Sequence, residues 1–192
     1  MPLTLTTAPA KEPVTWDEAK AWLRLPNDDD KTDVEKIIVA AREHAEGRTG
    51  RALITQDWTL RLDSFPGEFL LYKPPCQEVV HLKYTDGFGV AQTLVEGTDY
   101  QVDLYSQPAR VGPYRGTSWP TPLDDTYNAV ELQFKAGYGD DETYVPQGIR
   151  AAMKKIITQT YENRDNWITG TIIVSVPREA DVDLGGYKVN WV

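Results

Sequence analysis

Residues 128–152 read NAVELQFKAGYGDDETYVPQGIRAA, and the period of their apolar side chains changes partway along. Val130, Leu132 and Phe134 alternate with Glu131, Gln133 and Lys135, the spacing of a strand buried on one face. Gly137-Tyr138-Gly139 then gives a turn, because glycine lacks the Cβ that limits backbone freedom. Beyond it, Pro146 suits a first helical position, where a missing N–H costs nothing. Ile149, Met153, Ile156, Ile157, Thr160 and Tyr161 recur at helical spacing and define one apolar face. The stretch is therefore a strand that hands the chain to a helix. Asp140, Asp141 and Glu142 lie at the junction. Carboxylates suit hard cations, but these three are consecutive, whereas a calcium loop places its ligands at alternating positions. Acids before a helix N-terminus also interact favourably with the helix dipole, so they read as a hinge.

Two helices precede this segment. Thr15 and Glu18 have the spacing of a capping box, in which each side chain satisfies a backbone N–H of the first turn. The first helix therefore starts near Trp16, presents Trp16, Ala19 and Leu23 on one face, and stops before Pro26. Thr32 and Glu35 repeat the spacing, predicting a second helix with a stripe of Val34, Ile37, Ile38, Ala41 and Ala45 that ends at Gly50.

The middle of the chain has period two. Trp58, Leu60 and Leu62 alternate with Thr59, Arg61 and Asp63, and Val80, Leu82 and Tyr84 are expected to point inward together. Residues 92–104 read as two further short strands about Gly97, and proline-rich residues 113–128 as a long ordered loop. After Asn166, WITGTIIVSV is β-rich, PREADVDLGG is polar and turn-forming, and YKVNWV ends on aromatic residues.

These elements predict an α+β fold: a small helical bundle with an inserted antiparallel β region and an extended C-terminal tail. The bundle comprises two N-terminal helices, about 15–25 and 32–49, and one late helix, about 146–164. The β region spans 53–136, an N-terminal arm 1–12, the main domain 13–166 and the tail 167–192.

Composition narrows the function. The 192 residues are 41% hydrophobic and 26% charged, as in ordinary globular chains, and no apolar run approaches the ~18 residues of a membrane span. The start MPLTLTTAPAKEP lacks the features of a secretory signal, and a single cysteine, Cys76, cannot form an internal disulfide. Both fit a reducing cytoplasm. A net charge of −9 argues against a protein that grips nucleic acid, since phosphate binding rests on Lys and Arg.

No catalytic constellation, cofactor motif or metal site is evident. His44 and His81 have no zinc-type spacing, the serines lack a nucleophile-elbow setting, and no phosphate-cradling loop occurs. No pair among 29 acids is singled out for glycoside hydrolysis. The charge is uneven. Residues 28–46 hold seven acids against three bases, and residues 146–165 four bases against two acids. Such segments read as solvated helix faces; complementary subunit contacts are the alternative, with Asp28, Asp29 and Asp30 facing Arg150, Lys154 and Lys155.

Seven segments in order, TGRALITQDW (49–58), KPPCQEVVHLKYTDGFG (73–89), DYQVDLYSQPARV (99–111), SWP (118–120), NAVELQFKAGYG (128–139), VPQGIRAAM (145–153) and YENR (161–164), closely resemble the head-tail connector proteins of tailed bacteriophages. These are also called neck adaptor or head completion proteins. The resemblance covers about residues 13–165. It implies a structural virion protein, not an enzyme, forming a homo-oligomeric ring of about a dozen copies beneath the portal protein. That ring would sit in the virion neck after synthesis and assembly in the bacterial host cytoplasm. It would complete the DNA-filled head, extend the channel through which double-stranded DNA passes without sequence-specific binding, and present a platform to the next neck or tail component. The tail departs from the family's shorter pattern. It is expected to dock on the portal through Trp167, Ile172, Val174 and Val176, which have strand-like spacing, with Tyr187, Val189 and Trp191 as end anchors. Folding back onto its own β region is the alternative. Other readings are a carbohydrate- or protein-binding module of a phage tail, a DNA-packaging accessory protein, and a small hydrolase.

Overall fold

The computed structural model describes residues 3–163 and 176–189. The fold is α+β and divides into two units. The described residues up to Ala8, together with Thr55–Gly137, form a β unit. Pro9–Ile54 and the described residues from Tyr138 onward form a helical unit.

In the helical unit, α1 (Trp16–Leu23) starts as its capping box dictates: the Thr15 hydroxyl accepts from the Glu18 amide at 3.3 Å. Arg24 closes it in the left-handed conformation, φ 56°. Helix α2 (Lys31–Thr49) begins two residues earlier than its second box predicts. Asp30 is the N-cap and its carbonyl accepts from the Asp33 and Val34 amides, so Thr32 falls inside the first turn. The Asp30 carboxylate makes no cap bond; it accepts from the Tyr161 hydroxyl instead. Gly50 takes φ 74° and donates to the Glu46 carbonyl, a left-handed cap that suits glycine.

Helix α3 (Gln147–Glu162) follows Pro146 and buries Ile149, Met153, Ile156 and Ile157 against Val34, Ile37, Ile38 and Ala41 of α2. Each such side chain contributes roughly 1.5–3 kcal/mol on leaving water. A fourth helix, α4 (Arg178–Gly185), lies where the sequence reading expects polar turns. Ala180 and Leu184 are fully buried in the same core, and Arg48 pairs with Asp181. Two apolar residues four apart carry α4, too short a signal to stand out among its acids.

In the β unit, the strands are β1 (Leu3–Thr7), β2 (Gln56–Leu62), β3 (Phe69–Leu71), β4 (Cys76–Thr85), β5 (Ala91–Leu94), β6 (Tyr100–Asp103), β7 (Ala109–Pro113) and β8 (Val130–Ala136). One sheet has the order β1-β2-β8-β4-β5 and the other β3-β7-β6, with all neighbours antiparallel. Strand β8 is central: Leu132 pairs with Leu60 on one side and Leu82 on the other. Its alternate residues Val130, Leu132, Phe134 and Ala136 are buried. Val80, expected to share the inward face with Leu82, is 46% exposed. The β4–β8 register shifts between Val79 and His81, and such a bulge reverses which face a side chain meets. Phe65 stacks on Trp119 at 4.9 Å, fixing the proline-rich loop.

Inside the helical unit the Arg150 guanidinium ties three segments. Nη2 donates to both Glu18 carboxylate oxygens at 2.6 Å, and Nε donates to the Pro13 carbonyl at 2.9 Å. Burial alone would raise the Glu18 pKa, but the Arg150 hydrogen bonds and charge outweigh it, so the carboxyl titrates below its ordinary 4.5. A lowered carboxyl contributes stability above its unfolded value and loses it as pH falls through the folded one. Arg150→Ala is therefore expected to cost about 2–3 kcal/mol at neutral pH, less than a fully buried pair because Glu18 keeps some access to water. Urea unfolding checks this, and the penalty should shrink at acid pH. Cys76 gives a second test. Burial pushes its thiol up to about 12. A thiol-specific reagent at mildly alkaline pH should label it only after unfolding, since the thiolate is the nucleophile.

Candidate interaction surfaces

The charged residues nominated from sequence all lie in the helical unit. Asp28 accepts from Lys20 at 2.5 Å, and the Asp29 carboxylate from the Asn27 side-chain amide at 2.6 Å. Asp30 binds Tyr161, and Arg150 is 5% exposed behind Glu18 and Pro13. Lys154 sits 3.8 Å from Glu18 and over the Trp22 ring, and Lys155 pairs with Asp183 at 2.7 Å. The structure thus brings the basic residues to acids within the same chain, and none of the three aspartates meets Arg150, Lys154 or Lys155 in the ion pairs described.

The tail residues divide. Trp167, Ile172, Val174 and Trp191 lie outside the described residues. Val176 and Tyr187 pack against the helical core, and Val189 is 3% exposed with its amide donating to the Thr49 carbonyl at 2.9 Å. The Tyr187 carbonyl accepts from Arg51 Nε at 2.7 Å. These contacts seat residues 187–189 on the end of α2.

Asp141 has two structural tasks. Its carboxylate accepts from the Thr143 amide to cap a 3-10 turn, Glu142–Tyr144, and from Lys11 at 2.9 Å. The Lys11 bond and the Thr143 amide bring its pKa down to about 2. His81 bonds Glu131, which Arg61 also reaches. Among the described residues no group of three or more His, Cys, Asp or Glu side chains could hold a metal ion.

Exposed apolar side chains concentrate in the β unit, where sequence reasoning nominated none. Phe88, at the tip between β4 and β5, is 94% exposed; Val90 and Val95, which bracket β5, are 53% and 57% exposed. Tyr105, in the turn between β6 and β7, is fully exposed. Both turns are held firmly. The Asp86 carboxylate accepts from the Phe88 and Val90 amides and from the Gln92 side chain at 2.7–3.0 Å. Asp103 accepts from Ser106 and Arg110 and from the Tyr105 amide, and these bonds, the Ser106 hydroxyl foremost, hold its carboxyl well below the usual range. The available signal was the run Gly87–Val95, which has no charged residue in an acidic chain.

No protein-family model and no curated protein matches the chain. Solved structures do share its fold. One is a chain of the neck of an empty GTA particle computed with C6 symmetry, with a TM-score of 0.81 and 23% identity. Another belongs to the virion of a native gene transfer agent (GTA) particle, with 0.79 and 22%, and a third to the neck of a native GTA particle computed with C12 symmetry, with 0.72 and 22%. Each alignment covers 100% of this chain and 97% of the other, so the likeness in fold runs the full length.

Asp86→Ala should release the β4–β5 tip without touching the core. Hydrogen exchange at the Phe88 and Val90 amides is expected to accelerate while that of β8 stays unchanged.

Proposed function

We propose that this chain is a structural virion protein of the neck of a phage-like particle, where copies form a ring that completes the DNA-filled head, extends its channel and connects head to tail. The observation that carries the reading is the full-length likeness in fold to neck chains whose particles were computed with six- and twelve-fold symmetry. The ordered segments that resemble head-tail connectors point the same way. Charge fits as well: a chain of net charge −9 offers DNA little adhesion and lets it pass along a channel wall. The portal is the head-side partner in this proposal and the next neck or tail component the other. Portal contact through the C-terminal segment rests on Trp167, Ile172, Val174 and Trp191, since Tyr187 and Val189 are already engaged by their own bundle.

The test is to add the full-length protein to DNA-filled heads that lack necks and to image the portal vertex by electron microscopy. A new ring of regular rotational symmetry is the expected result. A bare vertex at saturating protein would contradict the proposal.

A further inference from the structure

We propose that neighbouring copies join by strand addition, the outer edge of β5 in one copy pairing with the outer edge of β1 in the next. The inference rests on the ring reading and names its contact. The two strands are the opposite edges of the five-stranded sheet, and among the described residues β1 pairs only with β2 and β5 only with β4. Each therefore presents unpaired backbone N–H and C=O groups, a template for another strand.

Edges left open in soluble proteins are usually blunted by charge, and the other sheet shows how. Its edge β6 carries Asp103, and its edge β3 is only three residues long, between Glu68 and Lys73. By contrast, residues 1–10 and 87–95 contain no charged side chain. The β5 edge is also bracketed by exposed Phe88, Val90 and Val95, and Leu5 of β1 is 40% exposed. A cluster of this kind marks a protein contact.

The β5 edge is held ready at both ends. Asp86 fixes the Phe88 and Val90 amides, and the Asp99 carboxylate accepts from the Val95 amide at 2.8 Å. Little backbone order remains to be gained on pairing. On β1 the flat stretch is Leu3–Leu5, because the register with β2 shifts before Thr7.

Topology fixes the kind of contact. Four successive antiparallel pairings separate β1 from β5, so the two run in the same direction. Copies related by rotation about an axis along the strands would meet as a parallel pair. The contact is heterologous, which is what a closed ring requires, and every copy uses both edges.

The Asp86 amide donates to the Val90 carbonyl, and alternation from that pair turns the Ala91 and Thr93 N–H groups away from β4. Thr93→Pro thus removes an outward donor while sparing the ladder, as edge prolines do. Leu5→Lys blunts the other edge. The experiment uses neckless DNA-filled heads and six proteins: the natural chain, T93P, L5K, and T4C/T93C, T4C and T93C, the last three each with Cys76→Ser. The natural chain should form rings. T93P and L5K, checked for an unchanged thermal midpoint, should each lower ring yield about tenfold or more. The double-cysteine protein, treated with a short bismaleimide, should give a ladder of multiples of 21.6 kDa. T4C and T93C alone should give none, and their mixture should give dimers. Rings of the natural chain with no ladder, or undiminished rings of T93P, would overturn edge pairing and leave the ring reading intact. Absence of rings from the natural chain would remove the ring reading, and this inference with it.

Discussion

The rest of the structure depends on strand β8 having two partners. A strand paired on both sides must satisfy its backbone within the sheet and bury its alternate side chains, which Val130, Leu132, Phe134 and Ala136 do. Its end is then constrained. The Gly137 amide donates to the Pro75 carbonyl and the Tyr138 amide to the Leu53 carbonyl, while Gln77 bridges Thr55 and the Gly137 carbonyl. Gly137 and Gly139 take φ 133° and 158°, and a Cβ on Gly139 would meet the Tyr144 ring at 2.6 Å. This narrow turn passes the chain from the β unit to the helical unit.

Each unit then handles charge differently. The helical unit uses ion pairs within itself: Arg150 joins Pro13 to Glu18, Arg42 reaches Glu12 and Glu46, and Arg48 holds Asp181. Buried or half-buried pairs of this kind fix which segment lies beside which, because a lone charge left in such a site is costly. The β unit has pairs of its own, Arg61 with Glu131 and Arg110 with Asp103, but these lie nearer the surface, and it leaves the β1 and β5 edges uncharged with Phe88 and Tyr105 facing solvent. In the proposed neck ring, a net-negative chain with an uncharged seam would hold together while offering the DNA it surrounds little adhesion.

Local signals were legible in the sequence and long-range ones were not. The Thr15 box, the Gly50 cap and the apolar stripes of α2 and α3 come from neighbours within a few residues, and the structure contains them. The box at Thr32 misleads because the same spacing lies within the first turn of a helix that Asp30 already starts. The alternation puts Val80 inward because a bulge leaves no mark in it. The acids of helix α4 hide Ala180 and Leu184, so its sequence reads as turns. For the site, Arg150 looked like a surface cation because its partner Glu18 is 132 residues away. The exposed β5 edge had a compositional trace in residues 87–95, but whether a strand is central or at an edge is decided by topology.

The measurement that bears most directly on the proposed ring is its salt dependence, followed by sedimentation. Backbone pairing and apolar contact across a seam without charges predict a ring that survives rising ionic strength. A ring that dissolves progressively into single chains as salt is added would place charged residues in the seam and contradict it.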